Sequence, residues 1–240
     1  MVNGLTTAGL GKPDYPLACR QHEAYIAALK TCGLTVKILD PDLRFPDSVF
    51  VEDVALLTPA GAVLLNPGAA TRRGEVPLIE PVLESLFGCR EAVRSPGTVE
   101  GGDILMVGGH YYIGQSLRTN REGARQLKAI LSDFGFSSST ISSKIFLHLK
   151  TAVAYLENNV LLITEEFQKA KDFSHLHKIV VEEEERYAAN SIWVNGRVIM
   201  PAGFPKTQRA IEKKGYQVLP VDVSEFRKLD GGVSCLSLRI

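Results

Sequence analysis

VEGGDILMVGGHYYIGQSLRTNREGARQLKAILSDFG, residues 99–135, contains a complete small folding unit. Two apolar runs, ILMV and HYYIG, flank Gly108-Gly109, a pair suited to a tight turn between strands. A polar loop then leads to Asn120, a candidate N-cap, and a helix that stops at Gly135. The same order recurs on either side. SVFVEDVALLTPAGAVLLNPG (48–68) turns at Pro59-Ala60-Gly61, and a helix starting near Gly74 follows, with Val76, Leu78, Ile79, Val82, Leu83 and Leu86 on a helical stripe. TAVAYLENNVLLITEEF (151–167) turns at Asn158-Asn159. AANSIWVNGRVIMPAGF (188–204) turns at Asn195-Gly196, a two-residue hairpin signature, and KTQRAIEKKGYQVLPVD supplies its helix and third strand.

Turn centres near 60, 108, 158 and 195 recur at intervals of about 40 to 50 residues, the period of repeated units that bury their strands only by stacking on neighbours. The expected architecture is a closed α/β array of strand–strand–helix–strand units in a single domain over residues 1–240. PLACRQHEAYIAALKTCG with the strand LTVKILD reads as the second half of a further unit whose two leading strands are missing. GVSCLSLRI at the far end reads as a strand that supplies part of that unit.

Composition fits a globular protein: 45% of the residues are hydrophobic and 22% charged, enough apolar material for a sizeable core. Lys plus Arg is 27 and Asp plus Glu is 27, so no net field attracts nucleic acid or an anionic membrane. No apolar run approaches the roughly 18 residues that cross a bilayer, and the stretch MVNGLTTAGLGKPDY has no basic n-region followed by an apolar run. The expected location is cytoplasmic. Cys19, Cys32, Cys89 and Cys235 are far apart with no CxxC pair, and in a reducing compartment they are expected as free thiols.

Acids interrupt the apolar strands where repeated units converge: Asp47, Glu52 and Asp53, then Glu100 and Asp103 around Gly-Gly, then Asp230. One such acid is ordinarily solvent-facing. Five or six at matching positions suggest a cationic ligand that balances buried carboxylates. His148 and Cys235 each read singly as packed residues, yet with Glu100 they supply a base, a nucleophile and an orienting carboxylate. Arg72 (or its neighbour Arg73) and Arg118 sit at corresponding exits from strand pairs and could grip a carboxylate bidentately. His175 and His177 complete no metal-ligand set, EGGD lacks the spacing of a phosphate loop, and Cys19 sits between apolar helical positions. The acidic run Glu182–Glu185 reads as a solvated face.

The motifs FPDSVFVED, VEGGDIL, SLRTN, FLHLK and DGGVSCLSL, in this order, resemble the dimethylarginine dimethylaminohydrolases of the pentein (amidinotransferase-like) superfamily, and NGLTTAGLGKPDY is similar to that family's substrate lid. The resemblance implies a five-bladed pseudosymmetric α/β propeller of ββαβ units. It implies hydrolysis of N-methylated arginine to citrulline and a methylamine through a covalent thiouronium on Cys235, with His148 as general acid/base and Glu100 orienting it. Asp47, Glu52 and Asp53 would bind the guanidinium or amino end, Arg72 and Arg118 the α-carboxylate, and Leu5 and Leu229 the amino acid portion through their carbonyls; Asp103 is read as structural. No metal or organic cofactor is expected. The partners expected are a guanidino amino acid and at most a second copy of the chain, not nucleic acid or membrane. One departure is visible: the chain opens almost at NGLTT, so the first strand of the first unit is expected to be missing, which would leave an exposed edge beside Cys235. The rival readings are an arginine deiminase-type hydrolase that releases ammonia and a non-catalytic pentein binding protein.

Overall fold

The computed structural model describes residues 1–88, 90–142 and 147–240. Cys89 and Phe146 of the FLHLK motif lie outside the described residues, while Cys19, Cys32 and Cys235 form no disulfide. The helices are α1 (Tyr15–Thr31), α2 (Val76–Leu86), α3 (Arg121–Asp133), α4 (Pro205–Glu212) and the short α5 (Ser224–Arg227). Among the described residues, strands form four three-stranded sheets: β1 (Ala55–Thr58), β2 (Gly61–Leu64) and β3 (Arg90–Ala92); β4 (Ile104–Val107), β5 (His110–Gln115) and β6 (Ser137–Ser142); β7 (Val153–Tyr155), β8 (Val160–Thr164) and β9 (His177–Val181); β10 (Ile192–Val194), β11 (Arg197–Pro201) and β12 (Gln217–Val221). In every sheet the first two strands make an antiparallel hairpin and the third runs parallel to the second. This is the repeat read from the sequence.

Local chemistry explains the hairpins. Gly108 and Gly109 have φ of +55° and +87°, and Asn195 and Gly196 have +46° and +85°, the left-handed pairs that match the twist of the flanking strands. Asn120 caps α3 by accepting the Gly123 N–H at 2.7 Å. Of the stripe expected on α2, Ile79 and Leu83 are buried and Val76 and Val82 pack against them, but Leu78 and Leu86 face outward. The third repeat has no helix between β8 and β9; the short 3-10 turns Glu165–Phe167 and Lys171–Phe173 make that crossover.

The chain divides into two compact units. One comprises Asp47–Thr151 with Cys235–Ile240 and holds the first two sheets. Its core runs from Val54, Ile79 and Leu83 through a second cluster that includes Val63, Ile113 and Leu127. The other comprises Met1–Pro46 with Ala152–Ser234, and centres on Leu156, Leu162, Val198 and Ile211. In this unit the Glu182–Glu185 run is not uniformly solvated. Glu185 is buried and accepts N–H groups of Lys206 and Thr207 and the Thr207 hydroxyl, so it satisfies the open amides at the start of α4.

Two expected strands are absent. LTVKILD carries no ladder, and its Ile38 and Leu39 are exposed, because no strand among the described residues pairs with it. Within GVSCLSLRI, Ser234–Leu236 is a 3-10 turn, so Cys235 is on a turn and not on a strand. The site acids are displaced in the same sense. Val51–Val54 and Gly101–Asp103 are 3-10 turns that precede β1 and β4, and Leu149–Thr151 precedes β7. Each has an i, i+3 bond at its start: Asp53 N–H to Phe50 O, Asp103 N–H to Glu100 O, Thr151 N–H to His148 O. Before β10 the Asn190 N–H closes on Tyr187 O in the same way.

Candidate active site

These turns fix where the chemistry sits. Glu100 and His148 each open such a turn and so hold equivalent places in successive repeats. His148 Nε2 lies 2.7 Å from Glu100 Oε2, and both residues are buried. Glu100 is steadied from its other oxygen: the Ala69 N–H donates to Oε1 at 3.1 Å, and Arg118 Nη1 approaches it at 3.4 Å. Asp53 Oδ1 stands 3.9 Å from His148 Nε2 and accepts the Gly102 N–H at 2.9 Å.

The Gly-Gly of VEGGD is a steric requirement. A Cβ on Gly101 would lie 1.9 Å from the Glu52 carbonyl oxygen, and one on Gly102 would lie 2.6 Å from His148 Cγ. The turn can therefore press against both the acid segment and the imidazole only without side chains. Asp103, fully buried, accepts the Leu149 N–H at 2.9 Å and the Ser116 hydroxyl at 2.6 Å, so it ties two turns together.

The charges are strongly coupled. Burial alone would lower the His148 pKa, but the Asp53 charge, the Glu100 hydrogen bond and the Asp103 charge outweigh it and push it up to about 9. Burial would raise the Asp53 pKa, yet the His148 and Arg72 charges and the Gly102 N–H hold it below the usual carboxylate range. Burial pushes the Asp103 carboxyl up. The imidazolium is thus the resident form at neutral pH. Asp53, Glu100 and His148 also bring ligand-type atoms within 4.8 Å of one another, the set among the described residues with room to share a metal ion. Asp53 Oδ1 and Glu100 Oε2 already bond to the Gly102 N–H and the imidazole.

The two arginines are not an equivalent pair. Arg72 has a side chain 5% exposed, and Nη1 meets Asp53 Oδ2 at 2.5 Å while Nε and Nη2 reach Glu75. Nη2 also donates to the carbonyls of Phe50 and Asp47. Its guanidinium is thus engaged with Asp53 and Glu75 and with the segment that carries Asp47. Its neighbour Arg73 is exposed, with Nε donating to Pro67 O, and the Arg118 side chain is 21% exposed.

Glu52 has companions that the sequence did not announce. Lys150 Nζ lies 2.5 Å from Glu52 Oε1, and Arg239 Nη2 reaches the same oxygen at 3.4 Å. Cys235 is buried in its turn, and Asp47 is buried beside the Arg72 contacts. Leu5 and Leu229 belong to the other unit. There Thr6 Oγ1 donates to Lys228 O, and the Thr7 N–H and hydroxyl donate to Asp230 Oδ2, tying the opening segment to the turn that carries Leu229. Asp230 holds a left-handed φ of +59°.

A buried histidine bonded to a buried glutamate, a turn-borne cysteine and an acidic surround invite comparison with known proteins. The profile of the family described as N,N dimethylarginine dimethylhydrolase, eukaryotic, matches residues 15–240. The N(G),N(G)-dimethylarginine dimethylaminohydrolase of Pseudomonas aeruginosa is 55% identical over 240 residues, all of this chain and 94% of that protein. The chain belongs to the dimethylarginine dimethylaminohydrolase family. The Streptomyces coelicolor dimethylarginine dimethylaminohydrolase is 35% identical over 230 residues, covering 95% of this chain and 88% of its own. Among solved structures, the Pseudomonas aeruginosa dimethylarginine dimethylaminohydrolase with a cysteine replaced by serine, in complex with citrulline, superposes with a TM-score of 0.98 over all of this chain and 94% of that one. A dimethylarginine dimethylaminohydrolase with a histidine replaced by glycine, an adduct with S-methyl-L-thiocitrulline, gives the same TM-score, identity and coverage. The α/β fold of repeated small mixed sheets is thus that of the dimethylarginine dimethylaminohydrolases. Among the described residues no helix is long and apolar enough to cross a membrane.

Proposed function

We infer that the protein hydrolyses N-methylated arginine to citrulline and a methylamine, with Cys235 as the nucleophile. The observation that carries this reading is the buried Glu100–His148 pair, 2.7 Å apart, in a chain 55% identical along its whole length to a dimethylarginine dimethylaminohydrolase. That residues 1–240 act as one catalytic domain is part of the same reading, supported by the length of that match.

A guanidinium resists attack because its charge is spread over three nitrogens. Buried carboxylates at Asp53, Glu52 and Asp47 suit its binding, and its positive charge favours the Cys235 thiolate over the thiol. Thiolate attack on the guanidinium carbon gives a tetrahedral adduct. The adduct collapses as His148 gives its proton to the departing methylamine, leaving a thiouronium on Cys235. Neutral His148 then takes a proton from water as the water adds to the same carbon, and expulsion of the thiolate with loss of the remaining hydroxyl proton to solvent releases citrulline. A histidine that is imidazolium at neutral pH is suited to the first of these proton transfers. Glu100 fixes the ring, Asp53 supplies the charge beside it, and Arg72 holds Asp53.

For the α-carboxylate, Arg118 and Arg73 suit the role better than Arg72, because a ligand at Arg72 would have to displace Asp53 and Glu75. Leu5 and Leu229 remain assigned by the resemblance to the amino acid portion. A citrulline colour assay against arginine, mono- and dimethylated arginines and agmatine tests the whole reading. Turnover of the methylated substrates is expected, and citrulline from arginine alone would favour a deiminase.

A further inference from the structure

Three residues other than Cys235, His148 and Glu100 share one structural habit. Asp53, Asp103 and Asn190 each close the turn before a leading strand, donating their own N–H to the residue three earlier. Each then uses a side-chain oxygen to accept a backbone N–H from the next turn along the chain: Asp53 from Gly102, Asp103 from Leu149, Asn190 from Ser234. The first two brackets fix the turns that begin with Glu100 and His148. The third fixes the turn Ser234–Leu236, whose middle residue is Cys235.

We propose that Asn190 is the positioning residue of the nucleophile. It holds Ser234 twice: Oδ1 accepts the Ser234 N–H at 2.9 Å, and Nδ2 donates to Ser234 Oγ at 3.0 Å. Asn190 is itself buried, so its amide has a fixed orientation. Gly232 accommodates it, since a Cβ there would lie 2.4 Å from Asn190 Oδ1. Tyr187, which opens the same turn, adds a hydrogen bond from its hydroxyl to Gly231 O at 2.6 Å. The segment 231–234 is therefore held by three hydrogen bonds, one at Gly231 and two at Ser234, immediately before the thiol. A side chain displaced by about 1 Å from its attack position loses on the order of a hundredfold in rate. Asn190 touches no reacting atom and acts through Ser234.

The inference rests on Cys235 being the nucleophile, and the experiment separates the two. Citrulline formation from dimethylarginine and thermal unfolding are measured for Asn190→Ala, Asn190→Asp, Gly232→Ala, the double variant Asn190→Ala/Gly232→Ala, and Cys235→Ser. Asn190→Ala should lower kcat about a hundredfold and leave KM within about threefold. Asn190→Asp, which keeps the acceptor as Asp53 and Asp103 do, should recover kcat to within about tenfold of the parent. Gly232→Ala should reproduce the loss in the parent and add little when Asn190 is already Ala. If Asn190→Ala does not fold, the Asp and Gly232 variants decide. A kcat within threefold of the parent for Asn190→Ala or Gly232→Ala, or an Asp variant no better than Ala, overturns the proposal. Turnover by Cys235→Ser would overturn the nucleophile assignment instead.

Discussion

His148 Nε2 bonds to Glu100 Oε2 at 2.7 Å while Asp53 Oδ1 stands 3.9 Å from the same nitrogen, so one imidazole is shared between two buried acids from different turns. The arrangement keeps the ring protonated and oriented. Replacing Glu100 by Gln retains a hydrogen-bonding head but removes a charge. The alkaline limb of kcat/KM should then move down from about 9, and kcat should fall about a hundredfold. A citrulline assay from pH 6 to 10 checks this; an unmoved limb would assign the pKa elsewhere.

The same shift makes stability depend on pH. His148 titrates near 6.5 when unfolded and near 9 when folded, so its contribution is complete below about 6.5 and is lost as pH rises through 9. The difference amounts to about 3 kcal/mol. Asp53 has the opposite sign: its depressed pKa stabilises above the unfolded carboxylate value, and that contribution is lost as pH falls through the folded one. Urea unfolding of the parent should weaken between pH 7 and 9.5, and His148→Asn should flatten that slope.

Adjacent glycines should respond differently. In Gly102→Ala the new methyl meets an imidazole ring that can shift, so the fold should persist while kcat drops at least tenfold. In Gly101→Ala it meets the Glu52 backbone carbonyl, which has little room to move, so loss of folded protein is expected. Circular dichroism with the citrulline assay separates the two outcomes; an active Gly102→Ala enzyme would mean that the ring position tolerates displacement.

Legibility followed the range of the interaction involved. Asn195-Gly196 and Gly108-Gly109 announce hairpins because φ above zero is a property of the pair itself, and Asn120 announces α3 through an amide three residues away. VED and GGD gave no such sign. Acids at these places read as interruptions of a strand, because the 3-10 turns are specified by partners such as Gly102, 49 residues from Asp53. Cys235, His148 and Glu100 stood out as residue types in motif order, and the fold brings His148 and Glu100 together. The burial of Arg72, the cations on Glu52 and the role of Asn190 were not visible, since each depends on which side chains the fold brings face to face.

Arg72 and Arg73 are neighbours in sequence but should fail in different ways. Removing Arg72 strands Asp53 and Glu75, two buried carboxylates, and breaking a buried pair of this kind costs about 3–5 kcal/mol. Arg72→Met should therefore lower the unfolding midpoint sharply, with activity lost toward every guanidine because Asp53 is no longer held. Arg73 is exposed and pairs with no buried acid among the described contacts, so Arg73→Ala should leave the unfolding midpoint within about 1 kcal/mol of the parent. If Arg73 grips the α-carboxylate, the substitution raises KM for dimethylarginine but not for a dimethylguanidine that lacks the carboxylate. Steady-state kinetics with both substrates, alongside thermal unfolding, decide the matter. A stable, active Arg72→Met with an elevated KM for the amino acid alone would return the carboxylate contact to Arg72.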